Sequence, residues 1–259
     1  MPATLDRKTR LRSERDFHDR QAAARAHDVY PPQLAFADAD YLEHACWIRP
    51  AFDRLGDVCG RKVLDLGCGH GMAAVVLARR GADVTACDLS VGYLREARAR
   101  ARANGVTIRF GQIDAERLPF ADGSFDRIWG SAILHHLDLC RAGAELARVL
   151  RPGGIAVCCE PWGENRWLRW ARQHAPYPGK QRTPDEEPLG RRHLAELHRH
   201  FSKVDVTGYQ LLSMASRIVG DRRLVNTLRR WDSALLERWP HWQRYCRYVV
   251  LACYNAITA

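Results

Sequence analysis

The chain has 259 residues, 46% of them apolar, enough for one large α/β domain or a domain with an appended cap, and this composition sets disorder aside. No apolar run reaches membrane-span length, the charged N-terminal stretch lacks an apolar signal core, and the nine cysteines include no C-x-x-C pair; a cytoplasmic protein without a metal or a disulfide framework is expected. The net charge of +10 is uneven, since residues 31–159 hold 16 basic and 15 acidic side chains whereas residues 160–259 hold 17 and 10.

That C-terminal excess reads first as a solvated, Arg-rich helical surface. Its sharper reading is an acidic substrate or an anionic surface nearby.

Residues 1–28 read as a charged helix, with Ser13 and Asp16 in capping-box positions and Pro31-Pro32 ending it. A second helix is predicted from about Asp40 to Leu55, across Pro50. Val63 to Leu66 then forms a buried strand with one acid, Asp65, inside it. Three glycines at alternate positions follow (Gly67, Gly69, Gly71), and Met72 to Ala78 reads as a helix closed by Gly81. Such a turn lets backbone approach a ligand closely and points helix N–H groups at an anion. The spacing G-x-G-x-G, with an acid two residues ahead, differs from the G-x-G-x-x-G of dinucleotide sites.

Downstream the pattern alternates strand and helix, as βαβ units do. Asp83 to Cys87 is a strand ending at Asp88, Ser90 caps a helix over Val91 to Arg102, and Asn104-Gly105 ends it. Strands follow over Val106 to Gln112, Phe125 to Trp129 and Ile155 to Cys159, the last preceded by a helix over Leu139 to Leu150. Thr183 to Glu186 has helix-start chemistry, and a helix is predicted at about 191–200. Val204 to Val206 reads as a strand, 213–239 as inserted helices, and Tyr245 to Tyr254 as the last strand. Asp88, 21 residues after Gly67, stands where an acid can accept ribose hydroxyls, or else simply cap a helix.

Read together, these residues resemble a known family. Asp65-Leu66-Gly67-Cys68-Gly69-His70-Gly71 resembles motif I of the class I S-adenosylmethionine (SAM) methyltransferases. Asp114-Ala115 through Asp126 is similar to the motif II region of the ubiquinone-biosynthesis-type (methyltransferase type 11-like) branch, Ser131 to Leu137 to its L-H-H-L stretch, and Arg148 to Gly154 to its R-x-L-R-P-G-G turn. The matches cover residues 60 to 160. The resemblance implies a Rossmann-like α/β fold with a seven-stranded, mostly parallel sheet and helices on both faces. An N-terminal helical cover (1–58) would precede the SAM-binding domain (59–259), with a helical insertion (about 211–242) before the last strand.

It implies SAM as cofactor and S-adenosylhomocysteine as product. Asp65, Gly67, Cys68, Gly69 and Gly71 would hold the amino-acid end, Asp88 the ribose, Leu89, Asp114 and Ala115 the adenine, and Ser131 would lie under the sulfur. His136, His135 and Glu160 are the candidate bases. Substrate contacts are expected from Phe17, His18, Tyr30, Tyr41, Trp162, Trp167, Trp170, His174, Tyr177 and Arg182. These favour an aromatic, hydrophobic or anionic small molecule. Nucleic acid is disfavoured because no RNA-binding motif accompanies the basic part. An RNA or protein methyltransferase and a non-catalytic SAM-binding protein are the alternatives, and the insertion leaves room for a homodimer.

Overall fold

The computed structural model describes residues 7–26, 34–174, 187–217 and 221–256. Three helices come first: α1 (Arg7–Ala26), α2 (Asp38–Leu42) and α3 (Ile48–Leu55). Ser13 lies inside α1, so it caps nothing. The single helix expected over 40–55 is two, joined by a turn. Pro50 falls in the first turn of α3, where its missing N–H breaks no helical bond.

The sheet alternates with helices from there: β1 (Lys62–Leu66), α4 (Met72–Arg79), β2 (Asp83–Asp88), α5 (Val91–Ala103), β3 (Arg109–Gln112), β4 (Phe125–Ser131), α6 (Leu139–Val149) and β5 (Leu150–Pro161). Then come α7 (Arg166–His174), α8 (Arg191–Leu197), β6 (Phe201–Tyr209), α9 (Arg222–Arg238) and β7 (Tyr248–Ala256). Local chemistry sets the boundaries. Ser90 Oγ accepts from the Tyr93 N–H to start α5, and Asp138 accepts from the Cys140 N–H to start α6. Tyr245, expected in the last strand, closes a 3-10 segment, Pro240–Tyr245, instead. The helix start predicted at Thr183 lies outside the described residues.

The seven strands stand in the order β3-β2-β1-β4-β5-β7-β6, parallel except for β7, which runs antiparallel to both neighbours. This is the expected mostly parallel Rossmann-like sheet. Every residue of β1 after Lys62 is buried, as a central parallel strand requires. Alternation along the strands divides the core between two faces: Leu64, Leu66, Ile128 and Leu251 pack on one, Val63, Trp129, Val157 and Val250 on the other. Strand order reverses between β1 and β4, so a crevice opens at the C-terminal ends of those strands.

Candidate active site

A cavity of ≈ 470 Å³ fills that crevice, walled by the glycine loop, the ends of β1, β2 and β4, the 41–48 turn and one side of α1. The glycines do different work. Gly69 (φ 50°) has open space where a Cβ would point, whereas a Cβ on Gly67 (φ 64°) would meet Ile133 at 2.7 Å. Gly71 (φ 83°) is the N-cap of α4, and a Cβ there would sit 2.7 Å from that of Ala97. Gly67, Cys68 and Gly69 therefore line the cavity, while Gly71 lets α4 pack on α5.

Asp88 ties this loop down. Its Oδ2 accepts from the Gly69 N–H at 2.9 Å and its Oδ1 from the Ser90 N–H at 2.8 Å. Burial raises its pKa, and those two N–H groups oppose the rise. Asp65 is buried on the same wall, its Oδ2 without a hydrogen-bond partner. Burial, then the Asp88 charge, pushes its carboxyl up to about 7. Leu89, Ala115 and Ser131 also line the cavity, together with Ala132, held at φ 55°, a conformation that strains any residue bearing a Cβ. Asp114 does not line it: it is ion-paired with Arg7 and accepts the Glu116 N–H at 2.9 Å.

The three candidate bases part ways. Glu160 is fully buried; its Oε1 accepts the Ile133 and Leu134 N–H groups at 3.0 and 2.8 Å, and its Oε2 lies 2.7 Å from His135 Nδ1. Neither Glu160 nor His135 lines the cavity: Glu160 holds the His135 ring behind that of His136, the two ring centroids 4.1 Å apart. His136 does line it. Its Nδ1 is 3.3 Å from Glu14 Oε1, and its carbonyl accepts from Arg10 at 2.7 Å.

His18, one turn beyond Glu14, completes the corner. Its Nε2 is 3.5 Å from Glu14 Oε2, its Nδ1 is 3.2 Å from Gln21 Oε1, and its ring meets that of His136 edge to face at 5.5 Å. Burial alone would lower its pKa, but the bond to Glu14 and the charges of Asp88 and Glu14 outweigh it and raise the pKa above 6.5. Donor atoms of Glu14, His18 and His136 lie within 4.8 Å of one another, a spacing that a divalent ion could bridge.

Of the expected substrate contacts, His18 and Tyr41 line the cavity. Trp162 is buried in the core, and Trp167 and Trp170 face outward, 82% and 59% exposed. Tyr30, Tyr177, Arg182 and the His174 side chain lie outside the described residues. The reading from sequence missed Glu14, Arg10 and Trp47, whose ring stacks on Tyr248 at 4.0 Å. Their only sequence signal was membership of an N-terminal helical stretch.

A protein-family model described as a methyltransferase domain matches residues 64–158. A demethylmenaquinone methyltransferase of Tropheryma whipplei (strain Twist) is 34% identical over 180 residues, 66% of this chain and 72% of that one. Methyltransferase GfsG of Streptomyces halstedii is 47% identical over 107 residues, 40% of this chain. Across GfsG and two further curated relatives, the chain spans 38% to 57% of their lengths. Among solved structures, geranyl diphosphate C-methyltransferase from Streptomyces coelicolor A3(2), in complex with Mg2+, geranyl diphosphate and S-adenosyl-L-homocysteine, shares the fold. It aligns with a TM-score of 0.53 at 19% identity, covering 92% of this chain and 83% of that one.

Proposed function

Because the chain belongs to the methyltransferase-domain family, we propose that it transfers the methyl group of SAM to an O, N or C atom of a small molecule, releasing S-adenosylhomocysteine. The observation that carries this reading is Asp65 Oδ2, a buried carboxylate oxygen without a partner on the cavity wall beside a glycine with open space before it. A buried carboxylate at such a place fits a ligand that brings an ammonium group. SAM carries one on its methionine end, so the residues present fit the cofactor. Asp65 and the Gly67–Gly69 backbone would hold that end, and Asp88 with Leu89 and Ala115 the nucleoside. Asp114, paired with Arg7 away from the cavity, supports the wall in this reading rather than touching the adenine.

SAM, when bound, supplies an electrophilic methyl carbon, so the chain needs mainly to bind, orient and exclude water. Acceptors whose nucleophile must lose a proton need a base, and His136 is the wall residue suited to it. Glu14 at its Nδ1 orients the imidazole. Glu160 and His135 position that turn from behind. Tyr41, Trp47 and Tyr248 give the same cavity an aromatic side, which suits an apolar or aromatic acceptor. The described part of residues 1–58 acts as the cover of the site. The relatives give no support to a nucleic-acid or protein substrate, nor to a non-catalytic role.

Equilibrium dialysis and calorimetry with S-adenosylhomocysteine test the cofactor half of this reading, and saturable micromolar binding is expected. Uptake of a nicotinamide or flavin nucleotide in its place, or no uptake of either, would overturn it. Incubation with SAM and a panel of apolar phenols, quinols and prenyl compounds, read as S-adenosylhomocysteine formed, tests the acceptor half.

A further inference from the structure

Two helices leave the sheet at the end where the cavity opens. Pro161, the last residue of β5, pairs with Tyr248, the first of β7, and α7 follows closely after Pro161. Tyr209, the last residue of β6, also pairs with Tyr248, so the described residues between them, including α9, project from that end too. Tyr248 itself is on the cavity wall. Asn165 Nδ2 donates to the Tyr245 carbonyl at 2.8 Å, fastening the start of α7 to the segment that follows α9.

Both helices display large apolar side chains to the outside. On α7, Trp167 and Trp170 are 82% and 59% exposed and lie one turn apart, each next to an exposed arginine, Arg166 and Arg169. On α9, Leu224 and Trp231, two turns apart on one stripe, are 44% and 57% exposed, and Arg223, Arg230 and Arg238 beside them are exposed as well. Among the described side chains of α9 the only buried one is Asp232, which accepts the Leu211, Leu212 and Ser213 N–H groups and anchors the helix to the body. Arg238 lies over the Trp239 ring at 5.6 Å and Arg244 over the Tyr245 ring at 4.7 Å.

Exposed indole next to guanidinium is the side-chain pairing that suits a lipid–water boundary. The ring sinks to the headgroup level, the arginine stem follows it, and the charge stays with anionic phosphates. We propose that the face formed by α7 and α9 docks on the surface of an anionic lipid bilayer, holding the cavity mouth close to it. A second copy of the chain fits less well, since a two-fold contact would set Arg166, Arg169, Arg223, Arg230 and Arg238 against their own like charges. A polynucleotide would satisfy those arginines but leave Leu224 and its neighbours wet. Docked in this way, the chain could take an apolar acceptor directly from the acyl layer. The docking itself does not depend on the methyl-transfer reading.

Co-sedimentation of the full chain with vesicles tests this directly. Vesicles of phosphatidylcholine alone are compared with vesicles carrying about 30 mol% phosphatidylglycerol, at about 0.1 M and about 1 M salt, where the Debye length falls from ~10 to ~3 Å. Partitioning at least tenfold stronger on the anionic vesicles and weakened by salt is expected. The double variant Trp167→Ser, Trp231→Ser should lose most of it while its thermal midpoint stays that of the wild type. Because no cofactor enters the assay, failure here leaves the proposed enzyme class untouched. No partitioning, equal partitioning on neutral vesicles, displacement from vesicles by RNA, or a stable dimer that ignores vesicles would each overturn the proposal.

Discussion

Glu14 on the first helix reaches His136 on the turn after β4, with Oε1 and Nδ1 3.3 Å apart across 122 residues of sequence. The pair joins the N-terminal cover to the one histidine of the His135-His136 doublet that faces the cavity. Removing either partner separates orientation from binding. Glu14→Gln keeps the shape but removes the carboxylate that orients the ring; turnover should fall about 10- to 100-fold and His136→Ala should fall further, general-base contributions being about 10²–10⁴-fold. Affinity for S-adenosylhomocysteine should hold in both. Wild-type kcat in either variant would return the pair to a structural role.

The same trio could be mistaken for a ligand set, and chelation tells the readings apart. If Glu14 serves His18 and His136 as their shared carboxylate partner, exhaustive dialysis against a chelator should leave turnover unchanged. Lost activity restored by a divalent ion would point to coordination at these three side chains instead.

Asp65 makes a prediction with a sign. Its carboxyl titrates at about 7 in the fold, against about 4 in an unfolded chain. Between those values the folded state keeps a proton that the unfolded state has released, so Asp65 costs stability as pH rises from about 4 to about 7, and the full cost remains above that. Asp65→Asn should therefore stabilise the ligand-free protein at pH 8 by a few kcal/mol, each tenfold difference in proton affinity between the two states being worth about 1.4 kcal/mol. Calorimetry should show the reverse for function: SAM affinity lost in the variant, and wild-type affinity falling as pH drops through about 7, because an ammonium needs the ionised carboxylate. A variant that binds as tightly as wild type would remove Asp65 from the cofactor site.

Asp88→Ala should weaken SAM binding at least tenfold for two reasons. It removes the acid beside the nucleoside, and it also frees the Gly69 and Ser90 N–H groups that shape the loop. Asp88→Asn, which retains one acceptor oxygen, should lose less; equal losses would mean that the loop contacts contribute nothing.

Glu160→Ala should unfold the protein earlier, not slow it selectively. It takes the carboxylate from beside His135 and leaves two backbone N–H groups buried without their acceptor, a loss on the order of 3–5 kcal/mol. Thermal unfolding should show it as a large fall in midpoint, and an unchanged midpoint would contradict the positioning role.

Much of the site was legible because short-range backbone chemistry writes it into consecutive residues. Positive φ at Gly67, Gly69 and Gly71 and the acid closing β2 are local requirements, so their spacing announced the loop. What was illegible depends on contacts between distant segments. Asp114 stands in a familiar place, but its direction is decided by Arg7, over a hundred residues earlier. Adjacent histidines look equivalent in one dimension, and only the buried Glu160, which holds His135 behind His136, separates the buried one from the one that lines the cavity. The inserted helices were anticipated, but no periodicity could say that their tryptophans would face solvent.

The way α1 is fastened bears on speed. Asp19 takes hydrogen bonds from Ser90 and Gly92, and Arg7 and Arg10 grip Glu116, yet among the described side chains of this helix the one buried apolar residue is Ala22. A wall held by ionic clasps and so little oil is loosened by salt, and it covers one side of the cavity. The tempo of repeated turnover would then be set by how often the latch springs, and brine would quicken it.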